Sequence, residues 1–70
     1  MNHTKLESSF IATVGYDPDQ KLLEIRMSNG CVYRATDVEP EDHTSLCEAE
    51  SAGRAFNELK FRYDFQRHGK

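Results

Sequence analysis

The sequence predicts an α+β fold: a three-stranded antiparallel meander followed by two helices packed on one sheet face. Two observations predict it. Residues 10–16, 23–27 and 31–35 alternate apolar and polar side chains with the period of two that a half-buried strand requires. After Thr36 the alternation stops, and capping residues precede apolar positions spaced by three and four.

Strand by strand, Phe10, Ala12, Val14 and Tyr16 form one apolar set, with Ile11, Thr13 and Gly15 opposite. Asp17-Pro18-Asp19-Gln20 reads as a turn, because proline presets φ at the second turn position and aspartate favours the first. Leu23, Ile25 and Met27 then alternate with Leu22, Glu24 and Arg26. Ser28-Asn29-Gly30 is the second turn, and Cys31, Tyr33 and Ala35 follow. A two-residue Asn29-Gly30 turn would set Arg34 among the core residues. A three-residue turn with Gly30 left-handed pairs Met27 with Cys31, Ile25 with Tyr33 and Leu23 with Ala35, and keeps Arg34 in water. A four-residue first turn pairs Val14 with Leu23, Ala12 with Ile25 and Phe10 with Met27. On the opposite face, Glu24 and Arg34 are expected to form an exposed cross-strand pair of a few tenths of a kcal/mol.

Pro40 with its neighbouring acids suits a helix first turn, and that helix is expected to run to about Glu50 with Leu46, Ala49 and Cys47 turned inward. Ser51 is placed to cap a second helix whose apolar stripe is Ala52, Ala55, Phe56 and Leu59. Phe61, Tyr63 and Phe65 then alternate with Arg62 and Asp64, which suits a short C-terminal strand or an extended tail on the core. Residues 1–8 and 66–70 are expected to be flexible ends around a single domain at 9–65.

Seventy residues allow one domain and one small core. There is no apolar leader in the first residues and no apolar run near the roughly 20 residues that span a bilayer. Two widely separated cysteines, Cys31 and Cys47, fit a reduced, cytoplasmic protein with two buried thiols better than a disulfide scaffold. His43 and Cys47 lie four apart on one helix face, but a structural zinc site wants four ligands, and a Cys/His catalytic pair also wants an orienting group and a cleft. No phosphate loop, nucleophile elbow or metalloprotease motif is present. The expectation is a protein without enzymatic activity, metal or cofactor.

Charge is uneven. The net charge is −3, made of −6 over residues 1–53 and +3 over residues 54–70. The run from Lys60 to Arg67 interleaves cations with rings, a pattern that binds single-stranded nucleic acid. The simpler reading has Phe61, Tyr63 and Phe65 on the core while Lys60 and Arg62 stay wet.

Ser8-Ser9-x-Ile11, Gly15-Tyr16-Asp17, Leu23-x-Ile25-x-Met27-x-x-Gly30, Val32-Tyr33, Val38-x-Pro40, Ala49-x-Ser51-x-Gly53-x-x-Phe56-Asn57 and Tyr63 together resemble the KTSC domain, over roughly residues 8–65. The family takes its name from a C-terminal extension of some lysyl-tRNA synthetases and also occurs as free-standing small proteins. Its Tyr-x-Tyr pair is half present here: Tyr33 matches the first, and Ala35 replaces the second. Glu39 stands where the family has proline after Val38. The resemblance implies a small binding module that takes RNA. Its contacts would be Arg54, Lys60, Arg62 and Arg67, with Arg26 and Arg34 on the open sheet face as a second patch. The alternative is a protein-interaction domain, monomeric or weakly dimeric, using Ile11, Leu22 and Val32 on that open face or a strand edge.

Overall fold

The computed structural model describes residues 2–6 and 9–68. The flexibility expected of Met1, Glu7, Ser8, Gly69 and Lys70 concerns residues outside those described. The elements are β1 (Asn2–Lys5), β2 (Ile11–Asp17), β3 (Leu22–Met27), β4 (Val32–Ala35), α1 (Pro40–Glu48), α2 (Ala52–Arg62) and β5 (Gln66–Arg67). All neighbours are antiparallel, in the order β1-β2-β3-β4-β5. The α+β layering is as expected, but the sheet has five strands among the described residues, not three or four. Residues 2–5, expected in a loose end, pair with Thr13 to Tyr16. Gln66 and Arg67, expected in the other loose end, pair with Arg34 and Tyr33.

The β3–β4 hairpin has the expected register, with Leu23 opposite Ala35 and Ile25 opposite Tyr33. Gly30 supplies the left-handed residue at φ 95°. The Asn29 side chain accepts from the Cys31 amide (3.0 Å), and Met27 donates to the Cys31 carbonyl (2.7 Å), which closes the three-residue turn. Tyr33 therefore faces the helices and Arg34 faces away.

The first hairpin differs. Val14 pairs with Ile25 and Tyr16 with Leu23, two positions from the expected pairing. The Asp17 side chain accepts from Asp19 (3.0 Å) and Gln20 (3.4 Å), while its backbone still pairs with Leu22. The loop is thus residues 18–21, ending on Lys21 at φ 52°. A shift of two keeps every face, so this change alone moves no side chain across the sheet. The bulge at Ala12, where the register slips between Ile11 and Thr13, does. Ile11 takes the core position opposite Met27 and is fully buried, while Phe10 is 65% exposed. This reverses the expected assignment of the two residues.

The core between sheet and helices is Ile11, Val14, Leu23, Ile25, Ala35, Val38, Leu46, Ala52, Phe56 and Leu59. Pro40 opens α1, as its fixed φ favours, but the helix stops at Glu48 with Ala49 extended. The Ser51 hydroxyl accepts from the Arg54 amide (3.3 Å) and caps α2. That helix runs one turn further than Leu59, which places Phe61 inside the helix rather than in a strand. Tyr63 and Phe65 return to the core, and Phe65 meets Phe56 edge-on at 5.1 Å. Phe61 does not return; it is 93% exposed.

Candidate functional site

Five of the six expected cationic contacts fall into three environments. Arg26 and Arg34 stand on the sheet face away from the helices, and Glu24 lies between them, 4% exposed. Arg34 Nε donates to Glu24 Oε2 (2.6 Å), Arg26 Nε lies 3.5 Å from Oε1, and His3 Nε2 reaches Oε1 at 2.8 Å from β1. His3 Nδ1 lies 3.1 Å from the Thr13 hydroxyl. Burial pushes the Glu24 carboxyl up, but the Arg34 hydrogen bond and the charges of Arg34, His3 and Arg26 outweigh it and hold the pKa below its ordinary value. The expected weak surface pair is therefore a buried carboxylate held by two arginines and a histidine. β1 makes the difference: it pairs with β2 and brings His3 over a carboxylate that a three-stranded sheet would leave wet.

The apolar patch expected on the same face does not form. Ile11 is in the core, and Leu22 and Val32 are half-buried.

Arg62 is the second case. Its Nη1 donates to Asp42 Oδ1 (3.0 Å), and the Tyr63 hydroxyl donates to Asp42 Oδ2. Tyr63 in turn accepts from the Glu39 amide (3.3 Å). The bond to Asp42 is the main reason the Tyr63 phenol is held above its usual pKa. These contacts tie the end of α2 to the start of α1.

Arg54 and Lys60 are the third case. Neither forms an ion pair with another described residue. They border a groove of about 380 Å³ between α2 and the start of β2, lined also by Phe10, Met27, Ser51, Gly53, Phe56 and Asn57. Lys60 Nζ sits 4.8 Å over the Phe56 ring. Gly53 makes the groove possible: a Cβ there would come within 3.3 Å of Phe10 Cδ2, so the missing side chain lets the ring settle against α2. On its other side Arg54 borders a shallower groove with Glu50 and Glu58. Arg67, in β5, is exposed opposite Tyr33.

Phe10 is the site residue that alternation misassigned. Nothing in residues 10–16 marks the bulge, since Ala12 tolerates either arrangement.

His43 and Cys47 do meet, with Nε2 3.4 Å from Sγ, and Tyr16 stacks on His43 at 4.9 Å. Burial lowers the His43 pKa, and burial with the Glu48 charge raises that of Cys47. Both shifts favour a neutral pair, the opposite of an activated thiolate. Cys31 and Cys47 are half-buried, less enclosed than expected. Among the described residues no three His, Cys, Asp or Glu side chains converge as a metal site, and no helix is long and apolar enough to cross a membrane.

Known proteins resemble this chain over most of its length. An uncharacterised protein of Stutzerimonas stutzeri is 44% identical over 59 residues, covering 84% of this chain and 83% of its own. A protein of Tsukamurella paurometabola is 42% identical over 52 residues, covering 74% and 78%. The crystal structure of a KTSC domain protein from Yersinia pestis superimposes with a TM-score of 0.81 at 30% identity, over 99% of this chain and 96% of that one. The KTSC domain profile matches residues 7–65, from just before the bulge to the ring that closes on Phe56, and this chain belongs to the KTSC domain family.

Proposed function

We propose that this KTSC domain is a small non-catalytic binding module whose ligand is single-stranded RNA, held at the Phe10 groove. One juxtaposition carries the reading: a largely exposed ring beside two cations that have no acidic partner among the described residues. A base stacked on an aromatic ring is worth roughly 1–3 kcal/mol, and every base has a flat face to offer. Arg54 and Lys60 would meet the flanking phosphates. The groove volume of about 380 Å³ falls in the range of small-molecule sites and suits a single base. The net charge of −3 does not oppose this, because charges farther off than about 8 Å are largely screened at physiological salt. The family's attachment to some lysyl-tRNA synthetases points the same way by association.

On this reading Arg26, Arg34 and Arg62 leave the contact set, because each has an acid to hold. Arg67 stays as a peripheral contact. The competing protein-interaction reading keeps only the strand edges of β1 and β5, four and two residues long.

The test is an NMR titration of the labelled protein with an oligouridylate octamer. Amide shifts are expected at Gly53, Arg54, Asn57 and Lys60 at about 50 mM salt, and they should fade by about 300 mM. No movement there at low salt refutes the proposal, and shifts confined to Thr4 and Lys5 would favour a strand-edge partner instead.

A further inference from the structure

Resting on that reading, we infer that Phe61 is a second stacking platform, so that the strand runs along α2 from Phe10 to Phe61 with Arg54 and Lys60 on its phosphates. Phe61 is 93% exposed. It lies nine residues from Ala52, which is about 180° around the helix and so directly opposite the buried stripe. Phenylalanine is also a mediocre helix former, so neither packing nor propensity accounts for it there.

Its surroundings do. Phe61 is seven residues beyond Arg54, about 20° around the helix, and four beyond Asn57, about 40°. It is eight residues beyond Gly53, where Phe10 rests, or roughly 12 Å along the axis. Asn57 lies on the line between the two rings, with Arg54 on one side of that line and Lys60 on the other. Glu58 stands about 60° around the helix from Phe61, on the side away from Asn57, where it shares a groove with Arg54, and Arg62 is held by Asp42.

This arrangement selects the occupant. A second copy or an apolar peptide would need continuous apolar surface, and here polar and cationic side chains separate the rings. Two rings with cations flanking the path between them match a polymer that alternates flat bases with anionic phosphates. A span of roughly 12 Å is about four nucleotides of a stacked strand at about 3.4 Å each, and fewer if the strand is stretched.

Fluorescence anisotropy with labelled oligouridylates of eight and two nucleotides tests this. Phe61→Ala should bind the octamer at least about fivefold more weakly, as expected when one base has no ring to stack on. Its salt dependence should match the wild type, because every cation that meets a phosphate is still present. The dinucleotide is too short to reach both rings, so its affinity should not change. Alanine favours the helix, and circular dichroism should show the fold intact. Wild-type affinity of Phe61→Ala for the octamer overturns the second platform and leaves the groove reading standing. If no oligonucleotide binds the wild-type protein at any salt, both are overturned.

Discussion

The two faces that carry arginine behave oppositely. On the open sheet face, Arg26 and Arg34 converge with His3 on Glu24, a carboxylate almost fully buried. On α2, Arg54 and Lys60 flank an exposed ring and form no ion pair with a described carboxylate. The side chains are of one chemical type, so their roles are set by where the counter-charge sits. An arginine whose charge is already answered inside the fold has little to offer a phosphate. One whose charge is unanswered gains from meeting it.

Four sets of substitutions break or sharpen this contrast. Glu24→Gln should have the largest effect. It keeps the shape and removes the charge that two arginines share, and should cost about 2 kcal/mol of stability in urea unfolding at pH 7. Buried ion pairs can lose more, but here the arginines are half exposed and can turn to water. The difference should depend on pH. The folded-state pKa of Glu24 lies below its ordinary value, so its stabilisation is fully present above the unfolded carboxylate pKa. It is lost as pH falls through the lowered folded value. The gap between wild type and Glu24→Gln should therefore be widest near neutrality and close in acid. A variant within about 0.5 kcal/mol of wild type at pH 7, a bound that follows from how little most surface substitutions cost, would show the cluster to be ornamental.

The double change Arg54→Gln with Lys60→Gln should act on the other face. Stability should stay close to wild type. Affinity for the octamer should fall about tenfold, and the slope of log affinity against log salt should flatten by about 1.4, or roughly 0.7 for each phosphate left unmatched. Arg26→Gln with Arg34→Gln should do the reverse, lowering stability and leaving the slope alone. If the two pairs flatten the slope equally, the division drawn between the faces is wrong.

The smallest expected effect is that of Gly53→Ala. The helix gains up to about 1 kcal/mol in propensity, offset in part because the new Cβ would crowd Phe10 at 3.3 Å. The ring is exposed and can move, so thermal unfolding should change by no more than a few degrees. RNA binding should nonetheless weaken, because the ring no longer rests where the groove needs it. Unchanged binding would mean that the seat of Phe10 is irrelevant to the site.

Local chemistry made some parts of this molecule legible. Gly30 after Asn29 permits a left-handed bend, and the need to keep Arg34 out of the core chose between two turn lengths. Both requirements lie within a few residues, and the β3–β4 register follows from them. Ser51 and the Ala52, Phe56, Leu59 stripe announced α2 in the same way. Other parts were illegible because their causes are distant. The β1 segment Asn-His-Thr-Lys has no apolar alternation, and its strand exists by pairing with β2 and reaching Glu24. The bulge at Ala12 adds one residue that no neighbouring side chain demands, and it exchanges Phe10 for Ile11 in the core.

From sequence alone came the α+β layering, the helix-facing side of residues 14–35 and the cap of α2, because period and turn chemistry act over a few residues. Only the folded chain decided which cations are answered and which ring lies in water. Those outcomes depend on strand β1, a bulge and a helix end, each fixed by contacts between residues far apart in the chain.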